Sequence, residues 1–113
     1  MIPHGDTVRR AFDLMNSGCL QQAEDLLRRH LRKSPSDAGG LHVLAATLLS
    51  RGQPAQAMFF ATKANELCPR DPAILGVLGF SLASAGRGAE ALGVFRDLVA
   101  IAPEDANAHV GLG

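Results

Sequence analysis

The chain has 113 residues, 47% of them hydrophobic, so it is long enough to form one folded domain with a substantial core. Its 11 basic and 11 acidic residues give no net charge. Nucleic-acid-binding domains typically carry a basic excess, so the charge balance argues against that function. No apolar run approaches the roughly 20 residues that cross a bilayer, and the start of the chain is neither a basic nor a hydrophobic leader. We therefore expect a cytoplasmic protein that binds neither nucleic acid nor membrane.

Five residue types recur along the chain at an interval of 34 residues. The columns are Leu14/Leu48/Leu82, Gly18/Gly52/Gly86, Ala23/Ala57/Ala91, Pro35/Pro69/Pro103 and Asp37/Asp71/Asp105. A period of this length is typical of stacked helical repeats, in which each unit packs on its neighbours. We predict a single array with repeats at residues 4–37, 38–71 and 72–105, followed by a partial repeat at residues 106–113.

Each repeat is predicted to be a pair of helices joined by a glycine turn. The first helices are expected at His4–Asn16, Ala38–Ser50 and Pro72–Ala85, and the second helices at Leu20–Lys33, Pro54–Leu67 and Ala89–Ile101. Glycine in the turn column can adopt the left-handed conformation that ends a helix. After each second helix, proline stops the helix and aspartate can cap the next one.

Small residues mark the columns where helices approach closely. Ala11, Ala45 and Gly79 share a column of the first helix, and Ala23, Ala57 and Ala91 share a column of the second helix. Side chains of this size allow two helix axes to lie close together. The recurring leucines, such as Leu48, are predicted to fill the core of each hairpin.

With these columns, the chain resembles the tetratricopeptide repeat family. The residues that carry the resemblance are clearest in the third unit, with Leu75, Leu78, Gly79, Leu82, Ala91, Phe95, Leu98 and Pro103. The resemblance implies an all-α solenoid of three helix-turn-helix units in a right-handed superhelix, with a truncated fourth unit. Because Leu112-Gly113 repeats the columns of Leu78-Gly79, we expect the chain to be the N-terminal piece of a longer protein or a trimmed fragment.

In this family, the first helices line a concave surface that binds partners. The resemblance places ten candidate residues on this surface: Val8, Arg9, Phe12, Met15, Asn16, His42, Leu49, Ser50, Phe80 and Ser84. The predicted groove is mostly apolar, and a large apolar patch usually marks a binding surface. Three neighbouring positions, Val43, Ala46 and Val77, could equally well pack between hairpins.

Two known activities of the family do not fit these columns. The positions that clamp the C-terminal carboxylate of heat-shock chaperones hold Val8, Phe12, Val43, Ala73 and Val77, none of which is a cation. The asparagine ladder of the O-linked N-acetylglucosamine transferases is also missing, since its column reads Arg9, Val43 and Val77.

Nothing in the sequence indicates catalysis. His42 is the one titratable group expected near the centre of the groove, and no nucleophile or carboxylate lies at a workable helical spacing beside it. The other histidines are scattered over different helical faces, and no phosphate-binding loop is present. We therefore predict no catalytic residue, no cofactor and no metal site.

These observations predict a non-enzymatic module, or scaffold, that binds a peptide or a segment of a partner protein in the apolar groove. One alternative is the docking or regulatory region of a larger enzyme, such as a bacterial glycosyltransferase or sulfotransferase. A second alternative is a small secretion chaperone. The chain is also expected to form a homodimer through the apolar surface that Val94, Leu98 and Ile101 leave at its C-terminal end.

Overall fold

The computed structural model describes residues 3–101, which form six α-helices in three consecutive hairpins. The helices are α1 (Pro3–Asn16), α2 (Leu20–Lys33), α3 (Ala38–Ser50), α4 (Pro54–Leu67), α5 (Pro72–Ser84) and α6 (Gly88–Ile101). Each predicted helix end lies within one residue of the observed end. None of the helices described between residues 3 and 101 combines the length and apolar character needed to cross a bilayer. The expected partial unit at residues 106–113 lies outside the described residues.

The turn inside each hairpin depends on the glycine column. Gly18, Gly52 and Gly86 have φ angles of 85°, 76° and 83°, a conformation that a β-carbon disfavours. The next residue then turns back and donates its backbone N–H to the carbonyl of the recurring leucine, as Gln53 does to Leu48 at 2.9 Å and Arg87 does to Leu82 at 2.9 Å. These hydrogen bonds satisfy carbonyls at the helix end, as the sequence predicts.

Aspartate caps join one hairpin to the next. The Asp37 carboxylate accepts a hydrogen bond from the Gly39 N–H at 3.1 Å, and the Asp71 carboxylate accepts one from the Ala73 N–H at 2.9 Å. Each cap satisfies an amide that has no partner inside the helix, which confirms the predicted role of these aspartates. The third aspartate of the column, Asp105, lies outside the described residues.

The helices lie in two layers. The first helices of the hairpins are neighbours, because α3 packs against both α1 and α5. Each second helix packs on its own hairpin partner, and α2 and α4 also pack on the first helix that follows them. Within residues 3–101, the backbones of α2, α4 and α6 therefore stay apart from one another. The second-helix layer is consequently interrupted by gaps.

The core runs through both layers and links the hairpins. One cluster of buried residues joins the first two hairpins and contains Ala11, Leu27, Val43, Leu44, Leu48 and Ala57. A second cluster joins the last two hairpins and contains Ala45, Ala61, Leu75, Leu78, Leu82, Ala91, Phe95 and Leu98. Every hairpin thus buries apolar surface against its neighbour, as stacked repeats require.

Two side chains lie deeper in the core than the sequence indicates. Val43, which could have faced either the groove or the core, packs in the first cluster and is only 5% exposed. Leu98, which we expected on the exposed C-terminal surface, is fully buried beside Phe95 in the second cluster. The expectation for Leu98 is wrong because the α5–α6 hairpin packs around this side chain.

Arg70 adopts an unfavourable backbone conformation between the second and third hairpins. Its φ angle is 70°, and it is the only residue other than glycine with a positive φ in the described part of the chain. Asparagine tolerates this region better than arginine does, so Arg70→Asn is expected to raise the free energy of unfolding by about 1 kcal/mol. Urea denaturation measures the change. Ser36→Asn, one repeat earlier and without a positive φ, is the control and should be neutral; equal effects of the two substitutions would contradict the strain.

Candidate functional site

The ten predicted groove residues all lie on α1, α3 and α5, the three helices of one layer. We call this set the first-helix face: Val8, Arg9, Phe12, Met15, Asn16, His42, Leu49, Ser50, Phe80 and Ser84. Because α3 packs between α1 and α5, side chains that point away from the second helices share one continuous surface. The fold thus places the three first helices side by side, as the resemblance implies.

The first-helix face is divided between exposed and half-buried side chains. The exposed residues are Arg9, Phe12, Asn16, Ser50 and Ser84, and the half-buried residues are Val8, Met15, His42, Leu49 and Phe80. Phe12 is the most prominent apolar member, with 43% of its surface exposed. The exposed apolar patch on this face is therefore smaller than the sequence suggests.

Several half-buried members of the face also contribute to packing. The Phe80 ring meets the buried Phe95 ring edge to face, with 5.1 Å between the ring centroids. Val8 and Leu49 pack against the cluster that joins the first two hairpins. Each of these three side chains is partly exposed and partly packed against the core, so none of them projects from the surface.

Two buried hydroxyl groups beneath this face are already satisfied. Thr47 donates a hydrogen bond to the Val43 carbonyl at 2.8 Å, and Ser81 donates one to the Val77 carbonyl at 2.7 Å. Both side chains are fully buried and occupy equivalent positions one repeat apart. Each hydroxyl donates to a carbonyl of its own helix, so both groups are structural. The sequence pattern alone did not indicate this role.

His42 contributes a neutral imidazole to the first-helix face. Burial lowers the pKa of His42 below its ordinary value of 6.5, although the nearby Asp71 carboxylate acts in the opposite direction. The imidazole is therefore neutral at pH 7 and can exchange a hydrogen bond with a ligand but offers it no positive charge. This electrostatic state fits a contact residue in an apolar surface.

His30 has a structural role at the joint between the first two hairpins. Its Nε2 atom lies 2.7 Å from Asp37 Oδ2, and its side chain is only 7% exposed. Partial burial of Asp37 disfavours the charged carboxylate, but the hydrogen bonds from His30 and from the Gly39 and Gly40 amides outweigh it, so the pKa of Asp37 is lowered from 3.8. The His30–Asp37 contact thus links the C-terminal part of α2 to the N-terminus of α3.

A second surface, which the sequence analysis did not consider, lies between α4 and α6. It is a groove of about 1030 Å³, which we call the second-helix groove, and Phe59 on its α4 wall is 55% exposed. Its lining residues are Ala55, Met58, Phe59, Thr62, Lys63, Glu66, Leu78, Leu82, Arg87, Glu90, Gly93, Val94 and Asp97. One feature of the sequence could have indicated this groove. The apolar Met58 and Phe59 occupy the positions that the acidic Glu24 and Asp25 hold one repeat earlier.

We find no group of three or more His, Cys, Asp or Glu side chains that could hold a metal ion within residues 3–101. Both cysteines are free thiols; Cys19 is half-buried beside the first glycine turn, and Cys68 is exposed.

Comparisons with known proteins identify the architecture. No protein-family model and no curated protein matches the sequence. Among solved structures, the Arabidopsis OM64 TPR domain is 18% identical with a TM-score of 0.89, over 96% of this chain and 89% of that chain. The second TPR domain of human RPAP3, in complex with an HSP70 peptide, is 18% identical with a TM-score of 0.86, over 98% of this chain and 95% of that chain.

A third match is to part of a longer enzyme. An O-GlcNAc transferase of Thermobaculum terrenum is 21% identical with a TM-score of 0.85, over 99% of this chain but only 22% of that chain. The same arrangement of helices thus makes up most of two solved TPR domains and a small part of this longer chain. All three matches agree with the six helices described above, and the chain therefore adopts the tetratricopeptide-repeat fold.

Proposed function

We propose that this chain is a non-enzymatic, cytoplasmic interaction module that holds a peptide or partner segment against the first-helix face. The observation that carries the proposal is Phe12, a large apolar side chain that is 43% exposed on this face. The RPAP3 domain, which has the same fold, is in complex with an HSP70 peptide, and this supports a peptide-binding role for the architecture.

The chemistry of the face favours a partner with apolar anchor residues. Arg9 is the only cation among the ten residues, and the imidazole of His42 is uncharged at pH 7. Burial of apolar side chains against Phe12 and Met15 would supply most of the affinity, at about 25 cal/mol per Å² of apolar surface. The Asn16 and Ser50 side chains are exposed and would orient the peptide backbone through hydrogen bonds.

Phe12→Glu tests this proposal on peptides selected by display against the intact chain. A glutamate at the centre of an apolar contact leaves a charge poorly solvated, so the best selected peptide should bind about tenfold more weakly or worse. Fluorescence polarisation measures the dissociation constant. Leu92→Glu on α6, at a side chain that is 41% exposed in the other layer, is the matched control and should bind as the unchanged chain does.

Equal affinity of the Phe12→Glu and Leu92→Glu variants for that peptide would overturn the assignment of the first-helix face. Circular dichroism melting of both variants verifies that each remains folded. We expect no loss of helix content, because both side chains are largely exposed.

A second candidate is the docking region of a larger enzyme. It is supported by the likeness to the Thermobaculum terrenum O-GlcNAc transferase, of which this chain spans less than a quarter. The coding sequence that follows Gly113 tests this candidate directly. A stop codon at that point would remove it, and a catalytic domain would support it.

A further inference from the structure

The second-helix groove is open because nothing in residues 3–101 fills the gap between α4 and α6. The two backbones stay apart, and buried Leu78 and Leu82 of α5 form the floor between them. Met58 and Phe59 line one wall, and Val94 lines the other. The result is an apolar groove of about 1030 Å³ on the opposite layer from the first-helix face.

The equivalent gap one repeat earlier, between α2 and α4, is closed by the chain's own side chains. Arg28 reaches across it, with its guanidinium 5.5 Å from the Phe60 ring centroid and 3.3 Å from the Gln56 amide oxygen. Glu24 holds this arginine at 2.8 Å and also binds Arg51 at 2.7 Å. Only a pocket of about 280 Å³ remains there, so an empty gap is not an inevitable consequence of the fold.

The 34-residue register shows why the second gap stays open. The positions of Glu24, Arg28 and Arg51 become Met58, Thr62 and Ala85 one repeat later, which removes these three charged members of the seal. Arg87 still reaches α4 at one end of the gap, where its Nη1 atom lies 3.3 Å from Met58 Sδ. At the same time, the position of the exposed Asp25 becomes Phe59. Two acidic residues are thus replaced by the half-buried Met58 and the exposed Phe59, and an exposed apolar patch of this kind marks an interaction site.

Gly93 on the α6 wall supports the same conclusion. It lies inside a helix, where glycine costs about 1 kcal/mol relative to alanine, yet a β-carbon added there would meet no atom within 4 Å. No packing contact in residues 3–101 therefore requires this glycine. Because Gly93 has no side chain, the α6 wall opposite Phe59 does not project into the groove, and the groove stays wide.

The charges on the rim differ between the two ends of the groove. At the start of α6, Arg87 is paired with Glu90 at 2.8 Å, so that end is neutral. Lys63 lies over the Phe59 ring, 5.1 Å from its centroid. Towards the C-terminal ends of α4 and α6, Glu66 and Asp97 have no ion-pair partner among the described residues. Beyond the Arg87–Glu90 pair, these two carboxylates outnumber the single lining cation Lys63, so that end favours a cation.

We propose that the second-helix groove binds an amphipathic α-helix of a partner protein. Its apolar face would lie between the Met58–Phe59 wall and Val94, with a lysine or arginine near Glu66 and Asp97. Apart from the charged residues at the rim, the lining side chains offer a peptide backbone only the Thr62 hydroxyl. A helix satisfies its own backbone hydrogen bonds, whereas an extended strand in this apolar groove would leave them unpaired.

The test titrates synthetic amphipathic helices into the whole chain carrying ¹³C-labelled methyl groups. The peptides have leucines at alternating three- and four-residue spacing and lysines at either the N-terminal or the C-terminal end. We expect the methyl signals of Met58, Thr62 and Val94 to shift, while that of Met15 on the first-helix face stays unchanged. One lysine placement should bind more tightly than the other, and a glutamate-ended peptide should bind about tenfold more weakly than the better one.

Two substitutions remove the groove in different ways. Phe59→Asp, which restores the residue type of Asp25, and Gly93→Leu, which fills the open space, should each weaken binding of the lysine peptide about tenfold. Leu92→Asp, at an exposed side chain outside the groove, and Phe12→Glu should not weaken it. The Phe12→Glu variant separates this site from the first-helix face, so either proposal can fail alone.

Three results would overturn the proposal. One is unchanged affinity of the lysine peptide for both Phe59→Asp and Gly93→Leu. Another is a set of methyl shifts confined to the first-helix face. The third is a dimer in light scattering that Phe59→Asp dissolves, since the occupant would then be a second copy of the chain instead of a partner helix.

Discussion

Leu48→Ala is expected to lower the free energy of unfolding by about 2–5 kcal/mol, the range found for leucine truncation in well-packed cores. Leu48 is fully buried in the cluster that joins the first two hairpins. Its removal leaves a cavity between α3 and its neighbours, so the change weakens both the hairpin and the contact between repeats. Urea denaturation followed by circular dichroism measures the loss.

Leu92→Ala provides the matched control for this prediction. Leu92 is 41% exposed on α6, so its truncation should change the free energy of unfolding by no more than about 0.5 kcal/mol. A Leu48→Ala variant as stable as Leu92→Ala would contradict the packing described here.

Gly79→Ala is expected to destabilise the chain by about 1–3 kcal/mol, although alanine is the better helix former. A β-carbon at residue 79 would lie 2.8 Å from the Phe95 ring, closer than two carbons can approach. Phe95 is only 3% exposed and packs against Phe80, so the ring has little room to move. The clash must therefore displace the α5–α6 contact, and the loss is measured by urea denaturation.

Two further variants separate this clash from a general effect of glycine replacement. Gly76→Ala lies on the same helix, but its added β-carbon meets only Leu98 Cδ2 at 4.0 Å, so it should raise stability by up to about 1 kcal/mol. Combining Gly79→Ala with Phe95→Leu should cost less than the sum of the two single changes. Destabilisation by Gly76→Ala of the same size, or simple additivity of the pair, would exclude the clash.

The helices could be predicted from the sequence because their ends depend on local chemistry. Gly52 and Gly86 occupy left-handed positions, and Asp37 and Asp71 cap the helices that follow them. Each of these interactions spans only a few residues, and the 34-residue period repeats them along the chain. The helix ends predicted in one repeat are therefore supported by the same residues in the next repeat.

The candidate surfaces were predicted less completely. The period places Phe12, Phe80 and Val43 on first helices, but it does not show how far each side chain is covered by the neighbouring hairpin. In the structure Phe12 is exposed, Phe80 rests on Phe95, and Val43 is buried. That distribution depends on contacts between residues far apart in the sequence, such as those between α3 and α5.

The sequence by itself determined the all-α repeat architecture, the glycine turns and the aspartate caps, because all of these follow from short-range backbone chemistry and a regular period. Only the tertiary structure decided which of two equivalent gaps is sealed and which is open. Arg28 closes the first by reaching from α2 to α4, whereas Phe59 borders the second without covering it. The physical reason is that each gap lies between two second helices and the first helix beneath them. Its volume therefore depends on side chains that are far apart in the sequence and come together only in the folded chain.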